Sequence, residues 1–180
     1  MLTKISTLLH ARARGWLILA LFAAFVIYVA VTFPALQKAP GGSIVSLDAQ
    51  LYYPPDQAYA TIGSYGEASR FWILIYLTWD VLNPIFYTLF FSLLISWLFQ
   101  RGFKPESRLQ RLNLLPLGAG LFDLLENLSI VTMLSAYPTR LTAVAWLSTI
   151  CTLGKMSLLG LSLLLVLFGF GKAALKGVIG

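Results

Sequence analysis

The sequence predicts an all-α, polytopic membrane protein: a four-helix transmembrane bundle with a short amphipathic helix in its first extracytoplasmic loop. Three observations lead there. Hydrophobic residues fill 58% of the 180 positions and charged residues only 11%, whereas globular domains run nearer ~45–50% and ~25%. The apolar residues gather in four stretches, 15–33, 71–99, 112–137 and 141–169, each approaching or exceeding the ~20 residues that cross a bilayer core. Lys and Arg collect at the ends of these stretches with a strong bias to one side. Disorder, an ordinary soluble enzyme and a nucleic-acid-binding module are thereby excluded. The chain, 1–180, reads as a single transmembrane domain with one sizeable outer loop, 34–70.

The first span, 15–33, follows Arg12 and Arg14. Its apolar run is longer than a secretory signal core, and the exit sequence VTFPALQKAP is a poor cleavage site, so the span is read as retained. In the outer loop, KAPGGS reads as turn and linker. From Pro55 the character changes. Pro55 suits a first helical turn and Asp56 its positive end, and Ala58, Tyr59 and Ile62 then form a short apolar face, with Tyr65 beyond. A short helix on the outer surface, leading into the second span, is expected. Trp16, Trp72, Trp79, Trp97 and Trp146 read mostly as interfacial anchors, and Ala20 and Ala24 as small-residue packing in span one.

Charge placement sets the orientation. Lys4, Arg12, Arg14, Arg101, Lys104, Arg108, Arg111, Lys172 and Lys176 fall on one side, against Lys38, Arg70 and Arg140 on the other. Both termini are therefore expected in the cytoplasm. Membrane phospholipid is a sufficient partner for the net charge of +6, and no nucleic acid is called for. The single cysteine, Cys151, excludes an internal disulfide, and the single histidine, His10, excludes a His-based zinc site or triad inside the membrane. No cofactor and no metal is expected, because hard cations usually take 6–8 oxygen ligands.

The informative residues are ionisable ones inside the spans: Asp80, Asp123, Glu126 and Lys155. Each costs roughly 2.5–3.5 kcal/mol at a helix centre on insertion scales, and such residues rarely face lipid. At ~1.5 Å per residue, Asp80 lies roughly 13 Å, Glu126 roughly 16 Å, and Asp123 and Lys155 roughly 21 Å from the outer ends of their spans. Three antiparallel helices thus bring four charges into one slab. Helical spacing places Tyr76, Asp80, Asn83, Pro84 and Tyr87 on one stripe of span two. Gly120, Asp123, Glu126 and Asn127 share a face of span three, and Ser148, Thr152, Lys155 and Ser162 a face of span four. The candidate polar centre is therefore Tyr76, Asp80, Asn83, Tyr87, Asp123, Glu126, Asn127, Thr152 and Lys155. Pro84 and Pro116 are expected to free backbone carbonyls beside it. Simple helix register is the competing account, with Lys155 paired to Asp123 or Glu126. It leaves a remainder, since three carboxyls face one ammonium.

Four segments, YPPDQAYATIGSYGEASR, WDVLNPIFY, FDLLENLSI with its closing YP, and STICTLGK, resemble a widespread family of small four-span bacterial membrane proteins. The resemblance covers roughly Leu51 to Lys155 and is most specific in the D-x-x-E-N element of span three. It implies that Asp80, Pro84, Tyr87, Asp123, Glu126, Asn127 and Lys155 belong together in a bacterial inner membrane protein, and it supplies no activity. A looser analogy, in size, topology and buried acids, is to the sterol-isomerase and sigma-2-receptor superfamily. The expected function is a mid-membrane pocket for a lipid-like small molecule. An accessory subunit, completed by a partner membrane protein or a second copy, ranks next. A proton or cation path ranks third, because no inverted repeat is visible.

Overall fold

The computed structural model describes residues 1–38 and 46–179, with side chains to 175. Beyond Lys38, the KAPGGS linker lies outside the described residues. The chain forms α1 (Leu2–Arg12), α2 (Gly15–Gln37), α3 (Pro55–Tyr65), α4 (Ser69–Leu77), α5 (Trp79–Gly102), α6 (Leu115–Ala136) and α7 (Thr142–Ile179), with 3-10 turns at Leu47–Ala49, Gly66–Ala68 and Arg108–Leu114. Four helical runs are long and apolar enough to cross a membrane: Gly15–Gln37, Pro55–Gly102, Arg108–Ala136 and Thr142–Leu175. The protein is a multi-pass, all-α membrane bundle. Four crossings put both termini at one end, here the termini end, and the 34–70 segment at the other, the loop end.

α5, α6 and α7 are the packed centre, and α6 lies most extensively along α7. Gly120 sets the close approach of α5 to α6, for a Cβ there would come within 2.5 Å of the Thr88 hydroxyl oxygen. α2 is peripheral, as the lack of a polar stripe implies: it has the highest mean hydropathy of the four runs, 2.5, and buries only Ile18. Lipid tails are as apolar as leucine, so its exposed side chains need no protein cover. Phe22, Phe25 and Tyr28 attach it to Phe86, Phe90 and Trp79 of α5.

The short helix of the outer loop stands where Pro55 predicts it, and it buries Ala58, Tyr59, Ile62 and Tyr65. Its apolar face rests on protein rather than lipid. With Leu47, Tyr53, Trp72, Tyr76, Ile130 and Met133 it builds a core across the loop end. At that water boundary each large side chain taken out of solvent contributes about 1.5–3 kcal/mol. Trp72 is therefore a core residue, 4% exposed and stacked on Tyr65, where an interfacial anchor was expected.

Five further expectations need correction. The second span is not one helix, because the chain breaks at Thr78 (φ −122°, ψ −78°). The Thr78 hydroxyl donates to the Leu74 carbonyl and its N–H to that of Ile75, tightening and ending the turn. Pro116 sits in the first turn of α6, where its missing N–H has no intrahelical partner to lose, so it frees no carbonyl. The third span enters through the 3-10 turn Arg108–Leu114 and begins α6 at Leu115. The fourth continues as helix beyond 169 to Ile179, because GKAALKG holds nothing to stop it except two glycines. The N-terminal segment, read only as a basic flank, is helical as α1 and buries Ser6 and Leu9.

Candidate functional site

Helical spacing on α6 and α7 turns Asp123, Glu126 and Lys155 toward one another. Lys155 Nζ lies 3.1 Å from Asp123 Oδ1 and 2.6 Å from Glu126 Oε2. All three are nearly sealed, with side-chain exposures of 7%, 3% and 0%. The remaining carboxylate oxygens are held as well. Tyr87 donates to Asp123 Oδ2 at 2.9 Å, and Thr152 donates to Glu126 Oε1 at 2.6 Å. Buried charge is tolerable only when paired and hydrogen-bonded in this way. Lys155, Asp123, Glu126, Tyr87 and Thr152 of the sequence-derived set thus form one clamp.

Two residues of the centre escaped the sequence reading, both from the strap between α2 and α3. Tyr53 is fully buried and reaches Glu126 Oε1 at 3.2 Å, Ser148 at 2.7 Å and Thr152 at 3.1 Å. Burial and the neighbouring Glu126 push its hydroxyl well above the ordinary tyrosine range, so it remains a neutral donor. Asp48, in the 3-10 turn Leu47–Ala49, accepts from Tyr76 at 2.7 Å. Tyr53 ends a short alternation, Leu47, Ala49, Leu51, Tyr53, with Asp48 on the other phase, and the pattern does not say where the strap returns. The chemical signal was an aromatic pair, YY, directly before PP.

The break at Thr78 separates Tyr76 from the stripe assigned to it. Tyr76 belongs to the loop-end core and to Asp48, not to the Lys155 clamp. Asn83 is half-buried and makes none of the clamp's hydrogen bonds. Asp80, in the first turn of α5, is half-buried, and among the described residues no cationic side chain pairs with it. Beside it lies the Asn127 amide. Asn127 is 3% exposed and turns its amide N–H toward the Asp80 carboxyl, while its Oδ1 has no partner among the described residues. A buried acceptor left open costs about 1–3 kcal/mol.

A lipid-facing cavity of about 320 Å³ runs between α5 and α6, with Pro84, Thr88, Gly120, Leu121 and Leu124 in its walls. Pro84 and Leu124 lie one turn along their helices from Asp80 and Asn127. The apolar groove and the polar recess are therefore neighbours. Pro84 also has no N–H to give the carbonyl of Asp80, which adds an acceptor at the recess. Among the described residues, no three acidic, histidine or cysteine side chains come close enough to share a metal ion. What the arrangement offers is an apolar groove on the α5–α6 face, one helical turn from Asp80 and Asn127. No protein-family model, curated protein or solved structure matches the chain.

Proposed function

We propose that the protein is a membrane-embedded binding pocket for a lipid-like small molecule, held in a bacterial inner membrane with both termini in the cytoplasm. The observation that carries this reading is the division among the intramembrane acids. Asp123 and Glu126 are matched to Lys155, Tyr87, Thr152 and Tyr53. Asp80 has no cation among the described residues and leans on the Asn127 amide alone, one helical turn from an apolar groove between α5 and α6. Polar groups left unsatisfied in an apolar setting are expensive, and within spans they mark function more often than structure. The loop end is roofed by Leu47 and Tyr53, both at 0% exposure, which favours entry from the bilayer. The nine-to-three distribution of Lys and Arg supports the orientation.

The test uses hexadecyl alcohol, amine and acid probes, each carrying a diazirine, photolysed with the protein in phosphatidylcholine vesicles. At least one probe is expected to label the Pro84–Leu89 and Leu117–Leu124 segments. Leu121→Trp, which fills the groove from an exposed position, should cut that labelling severalfold. Diffuse labelling by all three probes, insensitive to Leu121→Trp, sinks the proposal. The alternative is an accessory subunit covered by a partner span or a second copy along α2, whose residues are nearly all outside the core. A stable complex in native membranes, lost on substitution of the outer α2 face, would favour it.

A further inference from the structure

A second site stands at the loop end, apart from the α5–α6 groove and independent of the pocket reading. The turn between α6 and α7 faces α3 across a cleft of about 320 Å³, walled by Asp56, Tyr59, Ala60, Tyr137, Pro138 and Arg140. Packing fixes its shape. The hydroxyl of Tyr59, a residue only 5% exposed, accepts from the Leu141 N–H and ties α3 to the turn. The Arg140 guanidinium lies over the Tyr59 ring, 5.1 Å from its centre. Gly63 lets Tyr137 reach α3, since a Cβ there would stand 3.0 Å from the Tyr137 hydroxyl oxygen.

The charges of the cleft are paired but far from saturated. Arg140 meets Asp56 through a single contact, Nη2 to Oδ1 at 2.8 Å. A guanidinium has five N–H donors and a carboxylate two oxygens. Most of Arg140 and the Oδ2 of Asp56 therefore stay open, on side chains 51% and 93% exposed. An exposed pair of this kind adds little to stability. What it does is set an open cation beside an open anion. A plain anion would answer Arg140 but meet Asp56, and a plain cation would do the reverse. A zwitterion answers both. Its cationic end has to donate hydrogen bonds to Asp56. A quaternary ammonium donates none and wants a cage of aromatic faces, and here the Tyr59 face is taken by Arg140. Its anionic end suits a phosphate, which a guanidinium grips with two N–H groups at once. The turn joins two spans, and Trp146, Leu147 and Ile150 are exposed a little farther along α7, an apolar surface for acyl chains. We infer that the cleft between α3 and the α6–α7 turn binds a phosphoethanolamine group, phosphate on Arg140 and primary ammonium on Asp56, carried by phosphatidylethanolamine of the adjoining leaflet.

Native mass spectrometry of the full chain, released from vesicles of equal dioleoyl phosphatidylethanolamine, phosphatidylcholine and phosphatidylglycerol, reads the preference directly. Phosphatidylethanolamine is expected to be retained about fivefold over each of the others. Arg140→Gln and Asp56→Asn should each remove that preference and leave the detergent melting temperature unchanged, which separates loss of the site from loss of the fold. Ala60→Trp, which fills the cleft from an exposed position, should do the same. Leu121→Trp, in the α5–α6 groove, should leave the preference intact. Equal retention of phosphatidylglycerol would mean that Arg140 acts alone and overturns the ammonium assignment. Equal retention of phosphatidylcholine overturns the need for a donating cation. A preference that survives all three cleft variants overturns the site. Soluble glycerophosphoethanolamine decides the source: failure to compete supports the lipid, and competition at equal concentration assigns the cleft to the soluble ester instead.

Discussion

Each end of the bundle is closed by a segment from outside the spans, and the two closures differ in chemistry. At the termini end α1 lies against α5 and the 3-10 turn before α6. There the plug is neutral, and its asparagine is fully matched: Ser6 donates to Asn113 Oδ1 at 2.8 Å, and Asn113 Nδ2 donates to the Ser6 carbonyl at 3.2 Å and to Ser96 at 2.8 Å, while the Oε1 of nearby Gln110 has no partner among the described residues. Asn113 is fully buried and fully used. At the loop end the strap sends Tyr53 and Asp48 toward three carboxyls and one lysine, and among the described residues no cation reaches Asp80. The two ends thus differ in charge more than in completeness. The comparison teaches that a buried amide here is satisfied in full, as at Asn113, or only in part, as at Gln110 and Asn127.

The largest test of that contrast is Lys155→Met. It leaves Asp123 and Glu126 without a cation and should cost about 3–5 kcal/mol, read as a large fall in detergent melting temperature. Lys172→Met, on the exposed face of the α7 extension, should leave melting unchanged, and equal melting of the two variants would break the clamp. Next comes Asn113→Leu, which strips partners from Ser6 and Ser96 and should lower stability by about 1–3 kcal/mol. Tyr53→Phe follows at about 1 kcal/mol, since Thr152 still serves Glu126 Oε1. The smallest effect on folding belongs to Asp80→Leu, expected to be near neutral because no paired cation is abandoned. The same variant should abolish saturable groove labelling by the probes. If Asp80→Leu melts as low as Asn113→Leu and still labels normally, the two ends are alike and Asp80 is structural.

Much of the fold was legible because bilayer thickness and the 3.6-residue period leave marks in a sequence. The four spans, most of the buried face of α3 and the pairing of Lys155 with an acid of the third span follow from spacing; that it holds both Asp123 and Glu126 does not. Ser148, Thr152, Lys155 and Ser162 are buried together on α7 as that period requires. What spacing does not encode is where an irregular segment returns. Tyr53 meets Glu126 across 73 positions and Ser148 across 95, and Ser6 meets Asn113 across 107. Nor did hydropathy mark Thr78, whose break comes from a hydroxyl competing for a backbone carbonyl inside an otherwise continuous apolar run. The stripe drawn from Tyr76 to Asp80 failed at that residue, while its continuation to Tyr87 stood.

That break also divides the molecule by lifetime. Trp72 and Tyr76 of α4 belong to the loop-end core with Leu47, Tyr53 and α3, whereas Leu93, Ile95, Leu98 and Phe99 of α5 belong to two other cores. The chain changes allegiance over a single residue. Amide hydrogens of α4 therefore exchange with solvent when the cap opens, as one cooperative unit with α3, while those of α5 wait for the bundle itself to come apart. Asp80 stands on the slow side of that boundary, two residues from the fast one.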